Sequence, residues 1–208
     1  MNMRRFVSLL FLAAACLLMA GCDSKNPLSD PTQSKPDPRL AGLWRAKDPN
    51  GGVEYYHVGR AGEKLPESVM EVVAVTHQKD GQLKDPAVML MFPTVLGKTA
   101  FLNVGIDGSS HQQSAVDCLK QEGWKPGVLE IYSILKYCIE GDTLLLWTMA
   151  EDAKEQAITS GKIKGDVPEK GKIGSSHFTD TTENVARFVA AAGDGLFEKE
   201  PMRLERVK

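Results

Sequence analysis

Polarity alternates along Val128–Glu140, and alternation at period two is the signature of a half-buried strand. Leu129, Ile131, Leu135, Tyr137 and Ile139 share one face, with Glu130, Tyr132 and Lys136 on the other. Gly141-Asp142 then turns the chain into Thr143–Met149, which predicts a hairpin. Four earlier runs, Val53–Arg60, Ser68–His77, Ala87–Phe92 and Thr99–Gly105, are short, rich in Val, Tyr, Phe and Met, and punctuated by Gly, Pro, Asp or Lys. Asp80-Gly81 marks a turn between two of them, because glycine accepts positive φ. Strands at this spacing predict an all-β chain with one antiparallel sheet, closed or nearly closed. Both faces of Ser68–His77 and Ala87–Phe92 carry apolar residues, which implies a sheet that is apolar inside and covered outside.

Two helices interrupt the strands. Glu151–Ser160 starts with acids that suit a helix N-terminus and stops at Gly161. A second helix is expected from an Asp180 cap, with Glu183 three residues on, to Gly193. Val185, Phe188, Val189 and Ala192 form its single apolar stripe, which predicts packing on the outside of the sheet. Met202–Val207 reads as a short last strand, and Ile106–Gly127 as a long insertion carrying Trp124.

The N-terminus has the three parts of an export signal: Arg4 and Arg5, an uncharged run from Phe6 to Leu18, and small residues at Ala20 and Gly21. The run is shorter than the roughly 20 apolar residues that span a bilayer. Leu18-Met19-Ala20-Gly21-Cys22 resembles the bacterial lipobox. That resemblance implies removal of residues 1–21 and diacylglycerol on the Cys22 sulfur, with acyl chains such as palmitate holding the protein to a membrane. Stable attachment takes at least two such chains. It further implies a cell-envelope protein facing the periplasm. Asp23 after the cysteine implies retention in the inner membrane, with the outer membrane as the alternative. Residues 22–38 contain Pro27, Pro31, Pro36 and Pro38 among polar residues and no apolar period, so they are expected to be a tether. The barrel domain is then expected over residues 39–208.

Cleavage would leave 187 residues, with 23 basic side chains against 27 acidic ones. This is enough chain for one domain with a sizeable core. The absence of a basic stripe argues against a nucleic-acid partner. With Cys16 removed and Cys22 acylated, Cys118 and Cys138 are the remaining thiols. In an oxidising compartment a disulfide between them is the economical reading, with two buried free thiols as the alternative. Neither has a Cys or His at ligand spacing, so no metal is expected there.

The order of elements resembles a calycin, the superfamily of lipocalins and related small barrels. Gly42-Leu43-Trp44 opens the first strand as the lipocalin Gly-x-Trp does. Phe92-Pro93-Thr94 with Leu102-Asn103-Val104, and Asp180-Thr-Thr-Glu-Asn-Val with Leu196-Phe197 and Met202-Arg-Leu-Glu-Arg, are similar to bacterial lipocalin-like proteins. The second lipocalin motif, Thr-Asp-Tyr between late strands, is absent. The resemblance implies an antiparallel β-barrel with a C-terminal helix outside it and a short last strand. It also implies that Trp44 closes one barrel end beneath an arginine, Arg203 or Arg206.

No motif argues for catalysis, and no cofactor is expected. His57, His77, His111 and His177 are scattered. Gly-Ser-Ser-His occurs at 108–111 and 174–177, where polar loops are expected and no third orienting group is indicated. There is no Gly-x-Ser-x-Gly elbow, and Lys170 stands where a phosphate loop would need glycine. Two readings follow. One is a membrane-anchored barrel binding a small apolar or amphipathic ligand, its contact residues unspecified. The other is a non-enzymatic interaction protein with a filled barrel, docking an envelope complex through the insertion around Trp124. The inward aromatic residues of a small barrel either fill it or line a cavity, and sequence does not separate these cases.

Overall fold

The computed structural model describes residues 23–47, 51–106, 112–169 and 174–208. Eight antiparallel strands close into a barrel: β1 (Gly42–Lys47), β2 (Val53–Arg60), β3 (Met70–His77), β4 (Ala87–Leu96), β5 (Thr99–Ile106), β6 (Ile131–Glu140), β7 (Thr143–Trp147) and β10 (Met202–Arg206). Neighbours in the chain are neighbours in the sheet, and β10 completes the circle by pairing with both β7 and β1. The architecture is calycin-like. Between β7 and β10 run α2 (Glu151–Thr159), the two-stranded β8 (Gly165–Asp166) and β9 (His177–Phe178), and α3 (Thr182–Ala192). β4 continues through Pro93 to Leu96, further than its apolar run suggests. Its partner β3 begins at Met70, opposite Met91, so Pro93 lies beyond that pairing on an edge where a missing amide donor is tolerated.

Alternation sends Trp44, Tyr56, Val72, Met91, Leu102, Leu135, Tyr137, Leu146 and Leu204 into one core inside the barrel. Part of the outer wall, over β4, β5 and β6, is also covered. α1 (Gln112–Glu122), inside the long insertion Ile106–Gly127, lays Val116 and Leu119 over Leu90, Phe92 and Tyr132. α3 presses Val185 and Val189 against Phe101, Ile134, Phe178 and Phe197. The apolar outer face of β4 is thereby accounted for, whereas the outward Val73 and Val75 of β3 stay half-buried and outside both clusters. The cap of α3 is Thr181, whose hydroxyl accepts from the Asn184 amide at 3.3 Å, one residue beyond the expected Asp180.

The expected tether is the main correction. Residues 23–40 form a strap along the barrel. Ser24 exchanges backbone hydrogen bonds with Tyr132 on β6, and Asp23 and Lys25 bond the backbone of Phe178 on β9. The Leu28 amide donates to the buried Asn103 side chain at 2.7 Å, and the Ser68 hydroxyl donates to the Pro31 carbonyl at 2.6 Å. Pro31–Gln33 and Pro38–Leu40 are 3-10 turns capped by Asp30 and Asp37, so these prolines start turns and do not extend a spacer.

Candidate functional site

One end of the barrel is sealed. Trp44 is fully buried near the start of β1, its indole donating to the Leu40 carbonyl at 2.7 Å. The Arg206 guanidinium lies 4.1 Å from the Trp44 ring centre and donates to the carbonyls of Ala41 and Arg39. Of the two candidate arginines, Arg206 is the one placed there. Arg203 lies at the opposite end of β10 and lines a cleft.

That cleft, about 950 Å³, lies at the other end, where β1 and β7 finish and β10 begins. This is within the usual size range of small-molecule sites. Ala46, Glu54, Leu146 and Met202 enter it from the inward-facing positions of β1, β2, β7 and β10. Arg45 and Glu205, paired at 2.5 Å, stand on the outer side of the same rim. Ala153 of α2, together with Phe197 and Pro201 before β10, forms the facing wall. The site therefore combines an apolar floor with a charged edge of both signs.

Glu54 is the polar centre of this floor and is only 6% exposed. Its carboxylate accepts from the Tyr56 hydroxyl at 2.5 Å and from the Thr76 hydroxyl at 2.9 Å. Burial, reinforced by the Glu54 charge, pushes the Tyr56 phenol far above its ordinary range, so Tyr56 remains a donor. The sequence contained this signal. Glu54 shares the inward face of Val53–Arg60 with Tyr56 and Val58, which makes it a charged residue at an interior position.

The other candidate residues are dispersed. Cys22, its signal segment and His111 lie outside the described residues. The expected disulfide is not formed: Cys118 and Cys138 are free thiols, Cys138 exposed. Cys118 rides on α1, which covers Tyr132 at the start of β6, whereas Cys138 sits six residues further along that strand. Six strand residues span about 20 Å, far beyond disulfide reach. Ser176 of the second Gly-Ser-Ser-His is buried, and its amide donates to the Glu151 carboxylate at 2.5 Å. His177 instead faces Asp166 at 3.2 Å. Trp124 is tucked edge-on against Phe92, with ring centres 5.8 Å apart. Among the described residues no cluster of His, Cys, Asp or Glu is arranged to hold a metal ion, and no helix is long and apolar enough to cross a membrane.

Compared with known proteins, the chain matches no family model, no curated protein and no solved structure.

Proposed function

We propose that this protein is an envelope lipoprotein, anchored through acyl chains on Cys22, whose barrel mouth binds a small amphipathic molecule. The cleft carries the reading: about 950 Å³ of space opens onto inward-facing Ala46, Leu146 and Met202 at the unsealed end of the barrel. A docking role for the insertion is less favoured, because Trp124 is turned against Phe92 and α1 covers the wall. The anchor rests on the first 22 residues, and the envelope location on the export signal.

Binding is tested on a soluble form beginning at Asp23, with a panel of single-chain amphiphiles and apolar dyes followed by thermal shift and calorimetry. Saturable binding with a negative heat-capacity change is expected. Ala153→Trp, which fills the cleft from α2, should abolish it. If nothing in the panel binds, or if Ala153→Trp binds as well as the parent, the mouth is not the site. The anchor is tested separately by labelled fatty acid, which should enter the wild-type chain and not Cys22→Ser.

A further inference from the structure

Three charged side chains are buried among the described residues: Asp23, Lys154 and Glu54. Asp23 and Lys154 neutralise one another at 2.8 Å. Glu54 has two hydroxyl partners and no cation within ion-pair distance among the described residues. A carboxylate offers about four acceptor positions, and Tyr56 and Thr76 occupy two. Glu54 also borders the cleft, between Ala46, directly opposite on β1, and Thr76, directly opposite on β3. A buried charge is tolerated when a partner of opposite sign completes it. Here the free acceptor positions and the available space coincide, and the cleft offers apolar Ala46, Leu146, Met202 and Phe197 beside a charged rim that includes Arg45, Lys47, Asp152 and Glu200.

We propose that Glu54 is a recognition site for a ligand ammonium group, so that the ligand class is a primary or secondary amine on an apolar body. This rests on the reading of the barrel mouth as a ligand site. The ammonium donates to the carboxylate oxygens left free by Tyr56 and Thr76, and the apolar body lies against Leu146, Met202 and Phe197. Hydrogen bonds between charged groups, here to a carboxylate that is itself buried, are worth enough to set preference among ligands of equal apolar size.

Three probes of one chain length decide it at pH 7: octylammonium, octanol and octanoate, titrated into the soluble form by calorimetry. Octylammonium should bind about tenfold or more tightly than the other two, the scale of one charge-assisted hydrogen bond. Glu54→Gln keeps the shape and should level the three affinities. Ala46→Lys offers the protein's own ammonium to Glu54 from the opposite strand. It should raise the unfolding midpoint and abolish octylammonium binding. A preference that survives both substitutions, or octanol or octanoate binding as tightly as octylammonium, overturns the assignment while leaving the mouth as a site. Absence of binding by all three probes overturns both the assignment and the mouth reading.

Discussion

Asp23 and Lys154, 131 residues apart, form a buried ion pair at 2.8 Å that ties the first described residue to α2. The second Asp23 oxygen accepts from the Ile134 amide at 2.8 Å, so the same carboxylate also binds β6. Lys154 reaches Glu151 at 3.0 Å as well. The residue that follows the proposed lipidation site is thus part of the folded core. A lipid on Cys22 would emerge one residue from this clamp, with no spacer between acyl chains and barrel.

The clamp has a pH signature. Complete burial pushes the Asp23 carboxyl up to about 6 from 3.8, the Lys154 charge and the Ile134 amide offsetting only part of this. The folded state then holds the Asp23 proton more tightly than the unfolded state. Its contribution to stability is fully present below pH 3.8 and is lost as pH rises through about 6. Comparison with Asp23→Asn isolates this group from the other carboxylates. The stability of wild type relative to Asp23→Asn should fall by up to roughly 3 kcal/mol between pH 4 and 7, at about 1.36 kcal/mol per pH unit. Urea midpoints of both proteins across that range provide the measurement. A difference that stays flat or grows with pH would show Asp23 ionised throughout.

The sealed end explains why glycine opens the Gly-x-Trp motif. Gly42 has φ +130°, and a Cβ there would stand 2.6 Å from the Arg206 Nη1 atom. The missing side chain is the space the guanidinium occupies above Trp44. Trp44→Ala should cost about 3–5 kcal/mol, as buried aromatics do. Arg206→Met should cost roughly 2–3 kcal/mol through lost charge-assisted hydrogen bonds to Ala41 and Arg39. Gly42→Ala should destabilise by displacing the same arginine, and Gly42→Ala with Arg206→Met should cost less than the sum of the two. Denaturant midpoints of the four variants test the coupling, and strict additivity would separate Gly42 from Arg206.

Both thiols should be alkylated in the folded protein without reductant, Cys138 ahead of the less exposed Cys118. Reductant should leave the unfolding midpoint unchanged, since no bridge constrains the unfolded chain. Mass spectrometry after timed alkylation gives the order. A folded protein carrying no adducts and two hydrogens fewer would restore the disulfide.

The barrel was readable because its strands alternate and its turns carry glycine, as along β2 and at Gly141. α1 was not, because Val116 and Leu119 are its only fully buried apolar pair and most of its remaining surface is polar. The strap left no periodic trace, since backbone bonds at Ser24 and one amide at Leu28 hold much of it. Proline and polar residues describe a spacer and a capped turn equally well. The disulfide expectation failed for a different reason: counting thiols says nothing about where α1, which carries Cys118, lies relative to Cys138 on β6. The cleft was half legible, through Glu54 on an inward face, but its outer wall comes from α2 and the segment before β10, which only the folded chain brings together.

The strap makes the last prediction. Asn103 lies on the outer face of β5 and is completely buried. Its oxygen accepts from the Leu28 amide at 2.7 Å, and its nitrogen donates to the Thr94 hydroxyl at 2.8 Å and the Phe92 carbonyl at 3.3 Å. Asn103→Leu leaves the Leu28 amide and the Phe92 carbonyl buried without that partner. An unpaired buried amide costs about 1–3 kcal/mol, and the Phe92 carbonyl, which still faces residue 103 in the β4–β5 ladder, loses only its side-chain donor, so a loss of roughly 1–3 kcal/mol is expected. Ser68→Ala, which removes the bond to the Pro31 carbonyl, should cost about 1 kcal/mol. Both substitutions should expose residues 24–38 to protease before the barrel unfolds, because the strap peels from its anchors first. In the wild-type protein the segment should resist cleavage up to the global transition. If a protease cuts wild type within residues 24–38 as fast as it cuts an unfolded peptide, with the barrel still folded, the segment is the free tether its composition suggests.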